Sequence, residues 1–213
     1  MFSERRNCLS CRAILISATV VMLLGSVMST GVRAEAVEDD KGFYLGLKFA
    51  GSTLYLEDDP DGEFFVKDDG GGVQLDIGYR FNPTFMLELS LGGANHETSD
   101  QAIDATFELV QLLAHYRFSP ERAFRPYLKG GFSGNSLKIE AGPASWEVSG
   151  GGVAVGGGFK YFFSPHFSLG IDLTHSIIQY DNAEIGIEGF TYEWEIEENG
   201  SATALALQLG YSF

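Results

Sequence analysis

Residues 203–213 read TALALQLGYSF, and this stretch decides how the rest of the chain is interpreted. Leucine, tyrosine and phenylalanine occupy every odd position from Leu205 to Phe213, and small or polar side chains occupy the even positions. Successive side chains of a β-strand point to opposite faces. The stretch therefore predicts a strand with one apolar face and one small or polar face.

Seven further segments alternate in the same way. They are residues 43–55, 71–81, 84–95, 105–118, 126–138, 151–163 and 166–179. Strands of soluble proteins usually have about five or six residues, whereas a tilted strand that crosses a bilayer needs about 9–11. The segments have the longer length. We therefore predict an all-β chain, a transmembrane antiparallel up-and-down β-barrel of eight strands.

The connections between the predicted strands alternate in length. Residues 82–84, 119–125 and 164–166 are short and turn-forming, and residues 56–70, 96–104, 139–150 and 180–201 are longer and polar. Short periplasmic turns and four longer extracellular loops are typical of outer-membrane barrels. An even number of strands then places both termini on the periplasmic side.

Phenylalanine residues gather at the strand ends nearest the short turns, which predicts an aromatic girdle at one membrane interface. They are Phe43, Phe81, Phe85, Phe118, Phe124, Phe163, Phe167 and Phe213. A soluble sandwich or barrel with its apolar face inward is the alternative, and periodicity alone does not separate the two.

Residues 1–34 predict a secretory signal peptide, with an uncleaved N-terminal anchor as the alternative. Residues 35–41 then form a short periplasmic segment, and residues 42–213 form the barrel. Cys8 and Cys11 precede the apolar run and leave with the peptide. Four of the 14 basic and one of the 29 acidic residues leave too, so 10 basic and 28 acidic residues remain, a net charge of −18. Such an acidic chain is not expected to bind nucleic acid.

Four short motifs carry a resemblance to a known family. They are GFYLG at 42–46, RPYLKGG at 125–131, GGGFKY at 156–161 and GYSF at 210–213. The chain resembles the small eight-stranded outer-membrane barrels of Gram-negative bacteria, with OmpA-type and OmpX-type domains. The resemblance implies an outer-membrane location, contact with membrane lipid and lipopolysaccharide, and recognition of Leu209, Tyr211 and Phe213 by the barrel-assembly machinery.

The small and polar face of each strand is assigned to the barrel interior, which predicts a network of buried charges. Its members are Lys48, Asp76, Arg80, Glu88, Arg117, Lys129, Lys160 and Asp172. Buried charges persist when they are paired and hydrogen-bonded. The network is interpreted as structural packing, with a gated ion path and a substrate-binding cavity as alternatives.

The four long connections hold 19 acidic residues, and Lys67 is their only basic residue. Charges of one sign at this density favour counter-ions or a basic partner. Divalent cations at the acidic loops are therefore possible ligands. Glu57, Asp59, Asp61 and Asp68 make a partial calcium-loop pattern, for which a merely solvated acidic loop is the alternative.

The sequence offers no catalytic constellation and requires no cofactor. His175 and Ser176 are adjacent on one predicted strand, so alternation points them to opposite faces. We expect a structural or surface-interaction role, such as adhesion or ligand contact, through the acidic extracellular loops, for a ligand the sequence does not identify. The alternatives are a small-conductance pore and a lipid A-modifying enzyme.

Overall fold

Eight antiparallel strands form a closed barrel in the computed structural model, which describes residues 41–56, 66–98, 104–187 and 190–213. The strands are β1 (Gly42–Leu56), β2 (Val66–Arg80), β3 (Phe85–Thr98), β4 (Asp104–Arg117), β5 (Phe124–Ala141), β6 (Ala144–Phe162), β7 (Phe167–Ile187) and β8 (Phe190–Ser212). Each strand pairs with the next, and β8 pairs with β1. No helix in these described ranges is long and apolar enough to cross a membrane.

The ring closes because β1 and β8 pair over almost the whole length of β1. Their register runs from Tyr44 opposite Ser212 to Leu56 opposite Gly200. At the end of the barrel with the short connections, the turn end, side chains replace missing backbone partners. The Asn82 Oδ1 accepts hydrogen bonds from the backbone N–H groups of Thr84 and Phe85 at 2.9 and 2.8 Å. Asparagine favours turns because of this local bond.

Near the turn end, the apolar face of each strand points away from the barrel axis, and the polar face points inward. Phe43, Phe163 and Phe213 are each about 60% exposed, whereas Lys48 and Asp76 are fully buried. Rings around the turn end contact each other, edge to face in several pairs, with centroids 5.2 Å apart for Phe43 and Tyr79 and 4.8 Å apart for Tyr211 and Phe213. This arrangement is the aromatic girdle, and it excludes a soluble barrel with an apolar core and a polar exterior.

Two of the four predicted loops are wrong as loops, because most of residues 139–150 and 180–201 is strand. β5 and β6 continue to a turn at Gly142 and Pro143, and β7 and β8 continue to residues 187 and 190. Apolar and acidic side chains still alternate there, as Tyr192, Glu193, Trp194 and Glu195 show. The acidic composition of these segments led to their prediction as loops, although their side chains alternate with the period of two that is typical of strands.

These extensions form the far end of the barrel wall over β5 to β8, which we call the outer sheet, and its β5 segment also pairs with residues 104–108 of β4. It comprises residues 136–141, 144–149, 182–187 and 190–195, in continuous register from Ser136 through Ser149 and Asn182 to Glu195. The sheet continues the wall of the barrel on the β5–β8 side.

The barrel interior has two layers of opposite chemistry. Near the turn end lies the charged layer, and its members are Lys48, Asp76, Glu88, His115, Lys129, Lys160 and Asp172. Toward the outer sheet lies the apolar layer, made of Leu54, Phe107, Leu137, Val148, Ile178, Tyr180, Ala183 and Ala202. A cavity of about 30 Å³ between the layers is lined by Gln74, Phe107, Gln111 and Ser176, among others. This volume is about that of one water molecule.

Candidate functional site

The charged layer is assembled from seven strands, each of which contributes one inward side chain at a similar height. Alternation places Lys48 of β1, Asp76 of β2 and Glu88 of β3 on the inner face, and β4 to β7 supply the remaining members. All are at most 5% exposed. Burial of this depth requires that the charges satisfy one another.

Lys48 is the centre of the charged layer. Its Nζ lies 3.0 Å from Asp76 Oδ2, 3.3 Å from Glu88 Oε1 and 3.9 Å from Asp172 Oδ1. Lys129 Nζ lies 2.7 Å from the same Asp172 oxygen. Two ammonium groups thus bridge three carboxylates, which is the arrangement that buried ions need.

Neutral side chains also hydrogen-bond the carboxylates of Asp76 and Asp172. Asp76 accepts hydrogen bonds from Ser90 Oγ and Gln208 Nε2, each at 2.7 Å. Asp172 accepts a 2.8 Å bond from Thr174 Oγ1 and a further bond from the Tyr127 hydroxyl. These bonds hold the two carboxylates in place.

Sequence reasoning missed two aromatic members of this environment. Lys160 Nζ lies 3.8 Å from the centroid of the Tyr44 ring and 5.4 Å from that of Tyr127. The ammonium group of Lys160 therefore makes cation–π contacts with both rings. The signal was present in the sequence, since Tyr44 shares strand parity with Lys48, and Tyr127 shares it with Lys129.

Arg80 and Arg117 lie on the inner face, as predicted, and each also contacts backbone near the short connections. Arg80 Nη2 donates to the Phe213 carbonyl oxygen at 3.3 Å, and Arg117 Nη2 donates to the Asn82 carbonyl oxygen at 3.1 Å. Both arginines therefore bind backbone at the turn end. They hold the chain terminus and the β2–β3 turn against the barrel.

The remaining predicted sites are the assembly signal in β8, which the structure describes, and the calcium pattern, which lies outside the described residues. Tyr211 packs against Phe167, and it shares the outward face with the exposed Leu209 and Phe213. The calcium pattern lies outside the described residues at Glu57, Asp59 and Asp61, and the side chain of Asp68 is also outside them. Among the side chains that the structure does describe, no group of three or more His, Cys, Asp or Glu is arranged to hold a metal ion.

Two of the histidines in the described part of the chain, His115 and His175, lie in opposite environments. His115 Nε2 lies 3.3 Å from Glu88 Oε1, and its ring stacks on Tyr127 in the buried charged layer. Ser176 accepts a bond from Gln111 inside the barrel, whereas His175 Nδ1 lies 2.9 Å from Thr203 Oγ1 on the exposed side. His175 and Ser176 therefore lie on opposite faces.

The outer sheet has two unlike faces. Its inner face continues the apolar layer and holds only apolar or aromatic side chains: Leu137, Ile139, Ala141, Ala144, Trp146, Val148, Ala183, Ile185, Ile187, Phe190, Tyr192 and Trp194. Its outer face includes one row in which Lys138, Glu147, Glu184 and Glu193 lie side by side. A hydrogen bond to Glu140 raises the pKa of Lys138, and the charge of nearby Glu147 adds to this effect. The base therefore stays charged among acids.

Comparison with known proteins agrees with this geometry. The sequence model of the outer membrane protein beta-barrel domain matches residues 21–213. Neisserial surface protein A is 18% identical over 81% of this chain and 97% of its own, with a TM-score of 0.57. Ail, the attachment invasion locus protein of Yersinia pestis, is 17% identical over 81% and 99%, with a TM-score of 0.51.

A third similar structure is the outer membrane protein OprG of Pseudomonas aeruginosa. It is 17% identical over 86% of this chain and 99% of its own, with a TM-score of 0.54. No curated protein matches the sequence. The closed ring of eight strands, its outward apolar belt and the match over residues 21–213 lead to one conclusion. The chain belongs to the outer membrane protein β-barrel domain family, whose location is the outer membrane of Gram-negative bacteria.

Proposed function

We propose that this protein contacts partners at the cell surface, with the barrel as its membrane anchor and the outer sheet as its contact surface. One observation carries the proposal. The barrel interior is filled by a paired charged layer and an apolar layer, while Phe190 and Tyr192 of the outer sheet are 69% and 63% exposed. Large apolar side chains held in water mark interaction surfaces.

The filled interior argues against the small-conductance pore. An ion that passed through the barrel would have to cross the apolar layer, where Phe107, Leu137 and Ile178 are all at most 2% exposed, as well as the charged layer. Apolar constrictions exclude ions because they do not replace the hydration shell. An eight-stranded barrel also has room for its own side chains and little more.

Lipid A modification also has little support from the residues described. A base and a nucleophile must lie within hydrogen-bond reach of one another and of the substrate. Ser90, which is hydrogen-bonded to Glu88 beside His115, is fully buried in the charged layer. A membrane lipid outside the barrel does not reach it.

The charge of the outer sheet indicates which partners to expect. The similar structure of Ail includes one in complex with the heparin analogue sucrose octasulfate. In this protein the outer face of the sheet carries Glu140, Glu147, Glu184, Glu193 and Glu195, with Lys138 as the base. Because carboxylates repel sulfates, we expect a neutral or basic partner here.

Export and assembly complete the proposal. Residues 1–34 are removed as a signal peptide, residues 35–41 remain in the periplasm, and the barrel-assembly machinery reads Leu209, Tyr211 and Phe213. Divalent cations gather at the acidic extracellular segments and bridge them to lipopolysaccharide. These steps follow from the charge and apolar patterns of the segments concerned.

Attachment of cells tests the function. The full chain is expressed in a Gram-negative host, and binding of the cells to cultured epithelial monolayers is measured. In the variant, Asn-Gly replaces residues 184–193, which joins the paired residues Ala183 and Trp194 through a two-residue turn. We expect attachment to fall at least fivefold while heat-modifiable electrophoretic mobility shows an intact barrel. Equal attachment by the two strains would contradict the proposal, as would ion conductance by the purified protein.

A further inference from the structure

The tip of β8 presents different chemistry to the two sides of the outer sheet. Phe190, Tyr192 and Trp194 lie on the inner face and are 69%, 63% and 42% exposed. Glu193 and Glu195 lie between and beyond them on the outer face, also exposed. Aromatic and acidic side chains thus alternate along one strand.

Neither face is explained by the stability of the sheet itself. Lys138 lies opposite Glu147, but Glu184 and Glu193 continue the row on β7 and β8 and have no basic side chain opposite them among the described residues. Like charges directly opposite each other destabilise a sheet. The exposed aromatic rings are also unfavourable in water. A partner that covers the rings and supplies positive charge offsets both costs.

The position of β8 in the sheet defines how such a partner lies. Beyond the pair formed by Leu56 and Gly200, residues 190–199 pair with β7 alone among the described strands. This part of β8 is therefore an edge in the described structure. A segment that lies along an edge in extended form directs its side chains alternately to the two faces, about 3.3 Å apart along the chain.

We propose that the edge of β8 over residues 190–195 binds an extended, basic polypeptide segment in which apolar and Lys or Arg side chains alternate. Its apolar side chains cover Phe190, Tyr192 and Trp194, and its cations lie beside Glu193 and Glu195. The inference rests on the proposed surface function and names the class of partner. A second copy of this chain is a poor occupant, because its formal charge of −15 places acid against acid.

The chain contains its own reporter for this contact. Its two tryptophans, Trp146 and Trp194, both lie on the inner face of the outer sheet. The Trp146→Phe variant of the full protein, refolded in detergent, therefore reports fluorescence from Trp194 alone. The probe is a ten-residue peptide that alternates lysine and valine, and we expect it to change the emission of Trp194 in a saturable way.

Two control peptides distinguish binding of an extended segment along the edge of β8 from simple charge attraction. One alternates glutamate and valine, and the other places five lysines before five valines. We expect the first not to bind, and the second to bind at least tenfold more weakly, because it cannot present one type of side chain to each face. Equal affinity for the block and alternating lysine peptides would overturn the proposal.

Matched variants locate the contact. Glu193→Gln with Glu195→Gln should weaken binding about tenfold, whereas Glu140→Gln with Glu147→Gln removes the same charge from β5 and β6, away from the edge, and should have little effect. Tyr192→Ser should weaken binding strongly, and Tyr55→Ser, on an exposed tyrosine of β1, should not. Equal effects of the two glutamine pairs would mean that attraction is non-specific, which overturns the proposed site.

Two other occupants would be recognised in the same experiments. Concentration-dependent dimers in sedimentation, lost in Tyr192→Ser, would assign the edge to a second copy. Quenching of Trp194 by brominated phospholipid in bilayers would assign the aromatic face to lipid. Either result overturns the proposal. If the peptide fails to bind while the 184–193 replacement still lowers cell attachment, the inference falls and the surface function stands.

Discussion

The two layers inside the barrel occupy equivalent inward positions of the same strands and yet differ completely in chemistry. Lys129 and Leu137 share one face of β5, and Asp172 and Ile178 share one face of β7. Near the turn end the inward side chains form ion pairs, and farther out they form an apolar core. Strand parity therefore determines which side chains are inside, and height along the strand determines their chemistry.

The difference indicates a division of labour. Ion pairs are directional, so the charged layer specifies a unique arrangement of neighbouring strands. Apolar contacts are non-directional and exclude water, so the apolar layer closes the barrel and supports the outer sheet. Four experiments test this comparison, in order of decreasing effect.

Loss of the central cation should have the largest effect. Lys48→Met leaves the carboxylates of Asp76 and Glu88 buried without their ammonium partner. We expect the free energy of unfolding to fall by about 4 kcal/mol, measured by urea denaturation in lipid vesicles. The double variant Lys48→Met with Asp76→Leu should recover part of this loss. A single variant as stable as wild type would show that the layer is not held by charge.

Truncation of a side chain in the apolar layer should lower the free energy of unfolding somewhat less, but it should make the barrel more permeable to ions. Phe107→Ala removes a ring that is 2% exposed at the boundary of the central cavity. We expect a loss of about 3 kcal/mol and a measurable rise in planar-bilayer conductance, since the apolar closure is thinned. Conductance that stays at the wild-type level would mean that the charged layer alone seals the barrel.

A methyl group added to a glycine of the barrel wall should lower the free energy of unfolding by a smaller amount. A Cβ atom at Gly210 would lie 2.5 Å from Ser168 Oγ and 2.6 Å from Tyr44 Cε2. Gly210→Ala therefore displaces the ring over which Lys160 lies, and we expect a loss of about 1–2 kcal/mol in the same denaturation assay. Gly51→Ala is the control, since its nearest neighbour would be 4.0 Å away. Equal losses in both variants would point to strand propensity instead of crowding.

The exposed ion pair of the outer sheet should matter least. Lys138 pairs with Glu140 in water, where solvent screens the interaction. We expect Lys138→Gln to leave the urea midpoint unchanged within error. A clear shift would show that the outer sheet unfolds together with the barrel and depends on its surface charges.

Much of the fold followed from simple patterns. The alternation of Leu205, Leu207 and Leu209 with Ala204, Ala206 and Gln208 predicts the last strand, and the structure confirms eight strands in a barrel. The ends of β7 and β8 were missed because acidic residues such as Glu193 and Glu195 are common in loops. Their polarity reflects an exposed face of a sheet.

The interior was harder to predict. Parity places Lys48, Asp76 and Asp172 inside, but it does not say which carboxylate faces which ammonium group. That pairing depends on how far neighbouring strands are shifted, as in the register of Gly46 opposite both Asp76 and Gly210. The inward position of the apolar residues Leu54 and Phe107 was not predicted either, because only the small and polar face of each strand was assigned to the interior.

The sequence by itself determined the number of strands, the alternation of their two faces and the excess of acid in the connecting segments. These properties are local, since a period of two and the partition of side chains between lipid and water act within each strand. Only the tertiary structure decided the partners of Lys48, the contacts of Arg80 and Arg117 with backbone carbonyls, and the row formed by Glu147, Glu184 and Glu193. Those contacts join residues from different strands, and the closure and register of the whole barrel place them within reach of one another.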